Sequence, residues 1–377
     1  MAKKRSRKLH TGNIVKKTSY SALIALFIFI IFKLAETIQF PLASFEAVNL
    51  PAQDTPLKLY SNQTDDNLSA LYIKAIESAS VSITFVIYAL MDPEIIQALN
   101  KRADAGISVH LVCDAKASLG ISRKIPKATI VKRLGKGLMH QKILIIDQQQ
   151  VVLGSANMTS DSLRVHGNLV MAMHHPPLAR TLLEKAHSMN EEGYSHKLSH
   201  LETVIAAQKL ELWMLPDDHL KGVQRMIELF RSAKKTIRVA MFTWTRNDFT
   251  QELIAAAKRG VKVEAVVDRY SGSGASSETI RALCEAKIPV RLNTGQGLLH
   301  HKFAWIDDTI LVNGSANWTQ SAFKVNDDVF IILQSLSLDQ QAKMSRLWEC
   351  LQRKSERTSP KAAKKRKSYV DFYEEAA

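Results

Sequence analysis

Cysteines, aromatic residues and long apolar runs are all scarce in this sequence of 377 residues. The three cysteines, Cys113, Cys284 and Cys350, are far apart and odd in number, which excludes a disulfide framework and a four-thiolate zinc site. The apolar fraction of 46% and the charged fraction of 23% exclude a wholly disordered, collagen-like or polytopic membrane protein. They are typical of a globular protein, with length for about two domains.

Acidic residues are also in deficit, because 51 Lys and Arg face 36 Asp and Glu, for a net charge of +15. Such an excess suggests a nucleic-acid or anionic-membrane partner. However, residues 1–17 carry seven basic residues and no acid, and residues 353–377 carry a net +4, so that residues 18–352 hold only +4. The expected folded part is therefore nearly balanced, and most of the excess lies in the tails.

The most apolar segment follows the basic residues 1–17. Its clean run covers residues 20–32, shorter than the roughly 20 residues of a spanning helix, and extending it to residues 20–40 includes one Lys and one Glu. The pattern fits an uncleaved signal anchor over residues 18–40, a cleaved signal peptide, or a buried helix. No small-x-small cleavage site follows, which favours the anchor. The preceding charge predicts export of the remaining chain, anchored to the membrane or secreted if the segment is cleaved.

The rest of the sequence contains an internal repeat of two copies. Residues 82–114 match residues 236–268 at an offset of 154, and residues 137–162 match residues 297–322 at an offset of 160. The second copy therefore has about six extra residues, most simply the Ser/Gly-rich loop at 271–276. A period this long indicates duplicated domains and not a solenoid of small repeats.

Strand-like and helix-like segments alternate within each copy. In the first copy, residues 83–90 and 107–114 are typical of buried strands, and a helix is expected between them, from near Pro93 to Gly106. The alternation predicts an α/β protein with two tandem α/β sandwich domains, related by a pseudo-twofold duplication, and an N-terminal membrane helix. The predicted division of the chain is a basic cytoplasmic tail (1–17), a signal anchor or signal peptide (18–40), a linker (41–58), a first domain (59–176), a connecting helix and linker (177–206), a second domain (207–349) and a basic, disordered tail (350–377).

Each copy carries one six-position motif, His-x-Lys-x4-Asp-x6-Gly-Ser-x-Asn. A chance match at six fixed positions is far rarer than about one in a million at average residue usage, so two matches in register indicate a functional site. The motif residues are His140, Lys142, Asp147, Gly154, Ser155 and Asn157 in the first copy, and His300, Lys302, Asp307, Gly314, Ser315 and Asn317 in the second.

The spacing of the motif has a physical meaning. Residues two apart on a strand share a face, so that the His and Lys of each motif are expected to project together. We expect the Gly-Ser pair to form a turn in which backbone and hydroxyl approach a ligand, and the Asn amide to add a donor. If the copies pack about a pseudo-twofold axis, two His, two Lys and two Asn converge on one pocket. Two titratable imidazoles among several donors suit a phosphodiester.

With these motifs the sequence resembles the phospholipase D superfamily in its two-motif, single-chain form, over roughly residues 59–335. The resemblance implies a two-step displacement without a metal or another cofactor. It implies that His140 attacks phosphorus to form a phosphohistidine, and that His300 protonates the leaving oxygen and then activates water or another alcohol. The lysines would neutralise the non-bridging oxygens, the task that a metal performs elsewhere.

Further site residues come with the resemblance. Asp147 and Asp307 belong to the catalytic signature, although their implied role is more structural than chemical. The residues expected to bind the substrate phosphate are Lys142, Asn157, Lys302, Asn317, Ser155 and Ser315.

The family often has an acid or amide, fourteen residues past the motif Gly, that hydrogen-bonds a catalytic His. Asn168 and Asp328 occupy these positions here. Because such residues act across to the other half in related two-motif enzymes, we expect Asp328 to orient His140 and Asn168 to orient His300. Two residues earlier, the second copy has the Asn of the family pattern, whereas the first copy has His166.

Three interpretations of the substrate stay open. The chain hydrolyses or transphosphatidylates phospholipid, cleaves DNA or RNA, or binds anionic lipid through its tails without catalysis. A nuclease should carry a basic footprint on its folded part, and +4 over residues 18–352 supports that only weakly, so we favour the lipid. The membrane contact would be made by residues 18–40. Because both motifs lie in one chain, a monomer is expected.

Overall fold

The computed structural model describes residues 48–193 and 195–359. The predicted N-terminal tail and membrane segment, and the last part of the basic C-terminal tail, lie outside the described residues. Within these two ranges, no helix has both the length and the apolar character needed to cross a membrane.

The first repeat forms a seven-stranded sheet with five α-helices and a short 3-10 helix at Asn62–Thr64. Strands β1 to β7 span Lys58–Tyr60, Ser82–Ile87, Ser108–Asp114, Thr129–Arg133, Lys142–Ile146, Gln150–Gly154 and Val170–His174. Helices α1 to α5 span Leu68–Glu77, Pro93–Asp104, Ile121–Lys124, Ser160–Arg164 and Pro176–Ser188. The order across the sheet is β1-β7-β6-β5-β2-β3-β4, in which β2, β3 and β4 are parallel and the other neighbours are antiparallel.

The second repeat forms a nine-stranded sheet around the same central pattern. Strands β8 to β16 span His200–Ile205, Gln208–Leu215, Thr236–Met241, Lys262–Val267, Val290–Asn293, Lys302–Ile306, Ile310–Gly314, Asp328–Gln334 and Ser355–Arg357. Helices α6 to α11 span His219–Ser232, Asn247–Lys258, Arg269–Ser273, Ser277–Glu285, Gln320–Lys324 and Leu338–Arg353. The order is β16-β12-β11-β10-β13-β14-β15-β9-β8, so that β10 to β15 repeat β2 to β7.

The local signals for helix α2 are all present in the structure. The Asp92 side chain caps it by accepting hydrogen bonds from the backbone N–H groups of Glu94 and Ile95, and Pro93 occupies the first turn. Gly106, at φ +86°, follows the helix end in the left-handed region that favours glycine. The predicted strand–helix–strand order of the first copy is therefore confirmed.

One apolar core contains residues from both sheets. Alternate residues of the motif strands enter it, Ile143 and Ile145 from β5 and Phe303 and Trp305 from β13. A second cluster packs on the other face of the nine-stranded sheet, against helices such as α6 and α7. Strands β5 and β13 lie in the middle of their sheets, with a neighbouring strand on each side. The polar residues at the start of these two strands are therefore held by buried neighbours.

Two predicted boundaries differ from the structure. The connecting segment 177–206 was expected to end as a linker, but β8 within it pairs antiparallel with β9 and extends the second sheet. The basic tail was expected from residue 350, but α11 continues to Arg353 and β16 pairs with β12. Arg291 donates hydrogen bonds from its guanidinium to the Ser355 hydroxyl and carbonyl, at 3.0 and 2.8 Å. These polar cross-strand contacts order a segment whose composition alone resembles a disordered tail.

Candidate active site

The His and Lys of each motif lie together at the start of a central strand. Lys142 and Lys302 are the first residues of β5 and β13, and all four side chains are at least 95% buried. Each lysine bends back so that Nζ donates to the carbonyl oxygen of its own motif histidine, at 2.5 Å to His140 and 2.9 Å to His300. Each strand therefore presents one imidazole and one ammonium group as a compact pair.

Each histidine is held by a residue of the other repeat. His140 Nδ1 lies 2.8 Å from Oδ1 of Asp328, and His300 Nδ1 lies 3.0 Å from Oδ1 of Asn168. Backbone contacts cross in the same direction, since the N–H of His140 donates to the carbonyl of Asp327 at 2.8 Å. The contacts expected between the two copies are thus present, and neither imidazole is positioned by its own half alone.

The hydrogen bonds fix the tautomer of both rings. The Asn168 amide donates from Nδ2 to the carbonyl of Ser162, so its Oδ1 faces His300 as an acceptor. An ionised carboxylate such as Asp328 accepts only. Nδ1 of both histidines is therefore the protonated nitrogen, and Nε2 of each neutral ring carries the lone pair that is free for chemistry.

Burial keeps both histidines neutral. Burial first, and then the charge of Lys142, lower the pKa of His140 to about 4, against the opposing effect of Asp328. Burial, followed by the charges of Lys302 and Lys142, holds the pKa of His300 well below its usual value. Burial also lowers the pKa of Lys142 to about 7. The lysine of the other repeat therefore acts on each ring in addition to its own motif lysine.

An aromatic residue stands beside each His–Lys pair, and sequence reasoning missed both. The Tyr88 ring lies 5.2 Å from the His140 ring, with Lys142 Nζ 5.1 Å from its centre. Phe242 lies 5.1 Å from His300 in the same way, with the other motif lysine 4.8 Å away. The two aromatics are equivalent in the repeat, so their register with the offset of 154 was the signal that could have found them.

A pair of aspartates anchors the residues just before the histidines. Asp114 Oδ2 accepts from the backbone N–H of Met139 at 3.2 Å, and Asp268 Oδ2 accepts from that of Leu299 at 2.8 Å. Asp114 is the last residue of β3, Asp268 directly follows β11, and the two match each other in the repeat. They hold the backbone that carries each catalytic imidazole.

The structure gives no support to the prediction that the motif serines bind phosphate, because both hydroxyls are engaged with other residues of the protein. Ser155 is fully buried and donates to Oδ1 of Asn168 at 2.8 Å, while Ser315 donates to Oδ1 of Asp328 at 2.6 Å. Each serine also accepts from a backbone N–H of the neighbouring strand. Their hydroxyls bind the residues that orient the histidines.

The motif glycines likewise serve packing and not a ligand. A Cβ on Gly154 would lie 2.3 Å from the carbonyl oxygen of Leu169, and one on Gly314 would lie 2.2 Å from that of Val329. No side chain fits at either place. The glycines let β6 and β14 approach the next strand closely enough for the following serine to reach its partner.

Asp147 and Asp307 lie at the far end of the motif strands, so counting them as catalytic is a further correction. Five or more strand residues separate them from the histidines, a distance of roughly 15–20 Å. Asp147 accepts from the backbone N–H groups of residues 80, 81 and 82, and Asp307 accepts from those of residues 234, 235 and 236. They fasten the motif strand to the start of its neighbour.

The two motif asparagines stay candidates for phosphate binding. The Nδ2 group of each amide is the donor that could bind a phosphate oxygen, while Oδ1 of both Asn157 and Asn317 is buried without a hydrogen-bond partner in the described structure. Asn317 also lines a cavity of about 960 Å³ whose wall comes from both repeats. That cavity is lined by no Lys or Arg among the described residues, and its one carboxylate is Asp161. Met91 and Tyr270, which line it too, are each about half exposed.

One group of side chains has the spacing of a metal site among the described residues, and it lies apart from this cavity. Ligand atoms of His200, Glu202 and Glu211 fall within 4.8 Å of one another on β8 and β9. Both oxygens of Glu211, however, accept hydrogen bonds from Arg225, at 2.8 and 2.7 Å. The group is therefore an ion-pair network on the sheet surface.

The family of the chain follows from comparison with known proteins. Residues 72–190 and 226–348 match the family model described as cardiolipin synthase, PLD-like domain, which covers more than half of the chain. The chain belongs to this phospholipase D-like family, and each repeat is one such domain. The predicted family and the two-repeat α/β fold are confirmed.

Two curated relatives are similar over a length close to that of one repeat. A Xenopus laevis protein named mitochondrial cardiolipin hydrolase is 28% identical over 151 residues, which are 40% of this chain and 71% of that protein. A phospholipase D of Rickettsia typhi is 31% identical over 130 residues, 34% of this chain and 61% of that protein. The prediction that the chain is an enzyme, a phospholipase D-like hydrolase, is confirmed by these relatives and the family match.

A solved structure resembles nearly the whole described fold. The phosphatidylserine synthase of Haemophilus influenzae superposes with a TM-score of 0.65 and 14% identity, covering 87% of this chain and 94% of that one. At this identity the likeness shows the fold alone.

Proposed function

We propose that the chain is a metal-independent phosphodiesterase of the phospholipase D type that cleaves phospholipid head groups through a phosphohistidine. If water accepts the phosphatidyl group, the reaction is hydrolysis. If an alcohol accepts it, the reaction is a transfer of the phosphatidyl group. The observation that carries the proposal is the pair of neutral histidines, each held at Nδ1 by the other repeat and free at Nε2.

In the first step, the Nε2 lone pair of His140 attacks phosphorus and forms the P–N bond. The bond from phosphorus to the head-group oxygen breaks, and that oxygen takes the proton from Nε2 of His300. Asp328 favours His140 as nucleophile, because a carboxylate stabilises the positive charge that develops on the imidazole ring. The neutral Asn168 stabilises the imidazolium form of His300 less than a carboxylate would, so that His300 releases its proton more readily, as a general acid must.

The proton that this step needs comes from solvent, and the negative charge of the bound substrate holds it on Nε2 of His300. His300 is neutral in the empty site, but an anionic phosphodiester next to it raises its pKa, because a nearby negative charge favours the imidazolium. Burial also lowers the pKa of Lys142 and Lys302, and the same substrate charge favours their ammonium forms. The two ammonium groups then neutralise the non-bridging oxygens, with the Nδ2 groups of Asn157 and Asn317 as further donors. Binding and protonation are thereby coupled.

In the second step, His300 acts as a base. Its Nε2 takes a proton from water, the water oxygen attacks phosphorus, and the P–N bond to His140 breaks. The imidazoles return to their starting states, so the cycle needs no co-reactant beyond water or another alcohol.

A phospholipid is favoured over a nucleic acid by the character of the cavity. A groove that follows a nucleic-acid backbone carries Lys and Arg along its length. Here the described cavity lining has neither, and the half-exposed Met91 and Tyr270 offer apolar contacts at its edge. The names of the curated relatives, a cardiolipin hydrolase and a phospholipase D, support the same choice.

The location of the enzyme is a second part of the proposal. The basic-then-apolar pattern of residues 1–40 supports a signal anchor at 18–40 that holds exported catalytic repeats beside a membrane, or a secreted enzyme if it is cleaved. One chain supplies both motifs, which supports a monomer.

The test compares substrates side by side. The full chain is assayed on vesicles of phosphatidylcholine, vesicles of cardiolipin, and single- and double-stranded DNA, each in excess EDTA, with His140→Asn and His300→Asn as matched variants. We expect lipid turnover that survives EDTA and is lost in both variants. Loss of activity in EDTA, or activity retained by both variants, would overturn the mechanism. Turnover of DNA alone would replace the lipid with a nucleic acid, and vesicle binding without turnover would leave a non-catalytic binder.

A further inference from the structure

The cavity wall carries a histidine in the first repeat that the second repeat lacks. His166 lines the cavity in the first repeat, and the equivalent residue of the second, offset by 160, is Asn326. The Asn326 side chain is engaged with the backbone, because its Oδ1 accepts a hydrogen bond from the N–H of Leu138 at 3.1 Å. The same offset relates Asp161 to Ser321. A His and a carboxylate therefore line the cavity on the side of the first repeat, at positions where the second repeat has Asn and Ser.

His166 lies next to one catalytic histidine. Its ring centre is 6.5 Å from that of His300. Its backbone is fixed, because its carbonyl accepts from the side chains of Asn62 at 2.6 Å and Asn168 at 3.2 Å. The residue that orients His300 thus also holds His166 in place. The imidazole itself is only partly buried and faces the cavity.

The distance between the His166 and His300 rings allows both to hydrogen-bond one oxygen atom placed between them. At 6.5 Å between centres the rings do not bond each other directly, but two hydrogen bonds of about 2.8 Å to one intervening oxygen span a comparable distance. On the His300 side, that oxygen is the one that departs with the head group in the first step.

We propose that His166 is a third functional histidine, which donates a hydrogen bond to the head-group oxygen as it leaves. The inference rests on the proposed function and assigns a residue to it. As the bond from phosphorus to this oxygen breaks, negative charge grows on the oxygen and the hydrogen bond strengthens. The proton that the oxygen takes still comes from Nε2 of His300, and His166 keeps its own. The departing head group therefore lies against the first repeat.

The experiment varies the leaving group and the donor together. Phosphatidylcholine and phosphatidyl-p-nitrophenol share the same phosphatidyl part, but p-nitrophenolate leaves without help. In the full chain, His166→Phe removes the donor and keeps a ring, while His166→Gln keeps a donor close to the position of Nε2. His187→Phe, at an exposed histidine that does not line this cavity, is the matched control.

We expect His166→Phe to lower kcat on phosphatidylcholine about 10- to 100-fold and on phosphatidyl-p-nitrophenol less than about threefold. His166→Gln should recover most of the loss, and His187→Phe should change neither rate. An equal loss on both substrates, no loss, or no recovery with Gln would overturn the inference. If the wild-type chain cleaves neither lipid, or His140→Asn still cleaves them, the proposed function itself fails.

Discussion

The two catalytic histidines have the same surroundings in most respects, but the groups at Nδ1 differ in charge. Asp328 and Asn168 each accept one hydrogen bond from an imidazole and one from a motif serine. The negative carboxylate raises the basicity of His140, whereas the neutral amide adds no charge beside His300 and does not raise its basicity in this way. In the proposed mechanism, this difference in charge makes His140 the nucleophile and His300 the acid.

Replacing the carboxylate tests this assignment. In Asp328→Asn, we expect kcat to fall about 10²-fold, because the developing charge on the nucleophile loses its counter-ion. Asp328 raises the pKa of His140 against burial and Lys142, which bring it to about 4. Its removal lowers that pKa further, and because the nucleophile must be neutral, the acid limb of kcat/KM should move below pH 4. The surface variant Asp104→Asn is the control. An equal fall in kcat in both variants, or an acid limb of kcat/KM that does not move in Asp328→Asn, would contradict the proposed role of Asp328.

Trapping the intermediate distinguishes the two rings. With phosphatidyl-p-nitrophenol, His300→Asn should release about one equivalent of p-nitrophenol and then stall, since the first step no longer needs an acid but the second needs a base. Mass spectrometry should find the phosphatidyl group on His140. His140→Asn should give neither burst nor adduct. An adduct on His300 in that variant would reverse the assignment.

The motif itself could be predicted from the sequence at the residue scale, but the jobs of its members could not. The histidines and lysines follow from two-residue spacing on a strand. Ser155 has the same hydroxyl whether it faces a ligand or Asn168, and only the packing of β6 against β7 decides between them. His166 deviates from the family pattern, and its place on the cavity wall became visible only once the two repeats were packed together.

At the scale of elements, the close approach of β6 and β7 is the feature on which the His300 environment depends. Gly154→Ala places a methyl group against the Leu169 carbonyl, and we expect a loss of about 1–3 kcal/mol in the free energy of unfolding, measured with urea. The shift should also weaken the support of Asn168 and reduce kcat. Gly295→Ala, where a Cβ meets nothing within 4 Å, is the matched control. Equal stabilities of the two variants would contradict the packing role.

Asp147 is expected to matter for stability and not for chemistry. Burial alone would raise its pKa, but hydrogen bonds from the backbone of residues 80–82 outweigh it, and the net shift is downward. A depressed pKa stabilises the fold above the unfolded value of about 3.9 and is lost as pH falls through the folded pKa. Asp147→Asn should therefore lower Tm at pH 7 and flatten the fall of Tm below about pH 4. Its kcat at 25 °C should stay within about twofold of wild type, and a larger loss would return Asp147 to the catalytic group.

Long elements were predictable and short ones were not. The helix α2 has a capping aspartate, a proline and a terminal glycine, and the strands beside it are continuous apolar runs. Strand β8 mixes polar and apolar side chains over six residues, and β16 consists of the three residues Ser-Glu-Arg. Their pairing with β9 and β12 comes from tertiary contacts that local composition does not encode.

At the scale of the whole molecule, a buried ion pair joins the two repeats. Arg133 donates to Asp327 Oδ2 from Nη2, at 2.6 Å, and from Nε, at 3.2 Å. Asp327 in turn offers its carbonyl to the backbone N–H of His140. The pair therefore links the edge of the first sheet to the backbone of His140.

Breaking this pair from one side should be costly. Arg133→Met leaves Asp327 largely buried without its cation, and we expect a loss of about 3–5 kcal/mol in urea unfolding. The double variant Arg133→Met/Asp327→Asn removes the uncompensated charge and should recover part of the loss. A single variant as stable as wild type would show that the repeats are joined by the apolar core alone.

The crossed support of the histidines also sets a limit on symmetry. Two identical subunits have one sequence for both orienting positions, so that both histidines would receive a carboxylate or both an amide. A tandem chain is free of this limit, and here Asp328 and Asn168 differ. The two halves of the site are therefore not equivalent, and in the proposed mechanism one ring carries the phosphoryl group while the other transfers protons to the leaving group and from the attacking water. Two copies of one gene product could not encode that polarity, whereas a duplicated gene can.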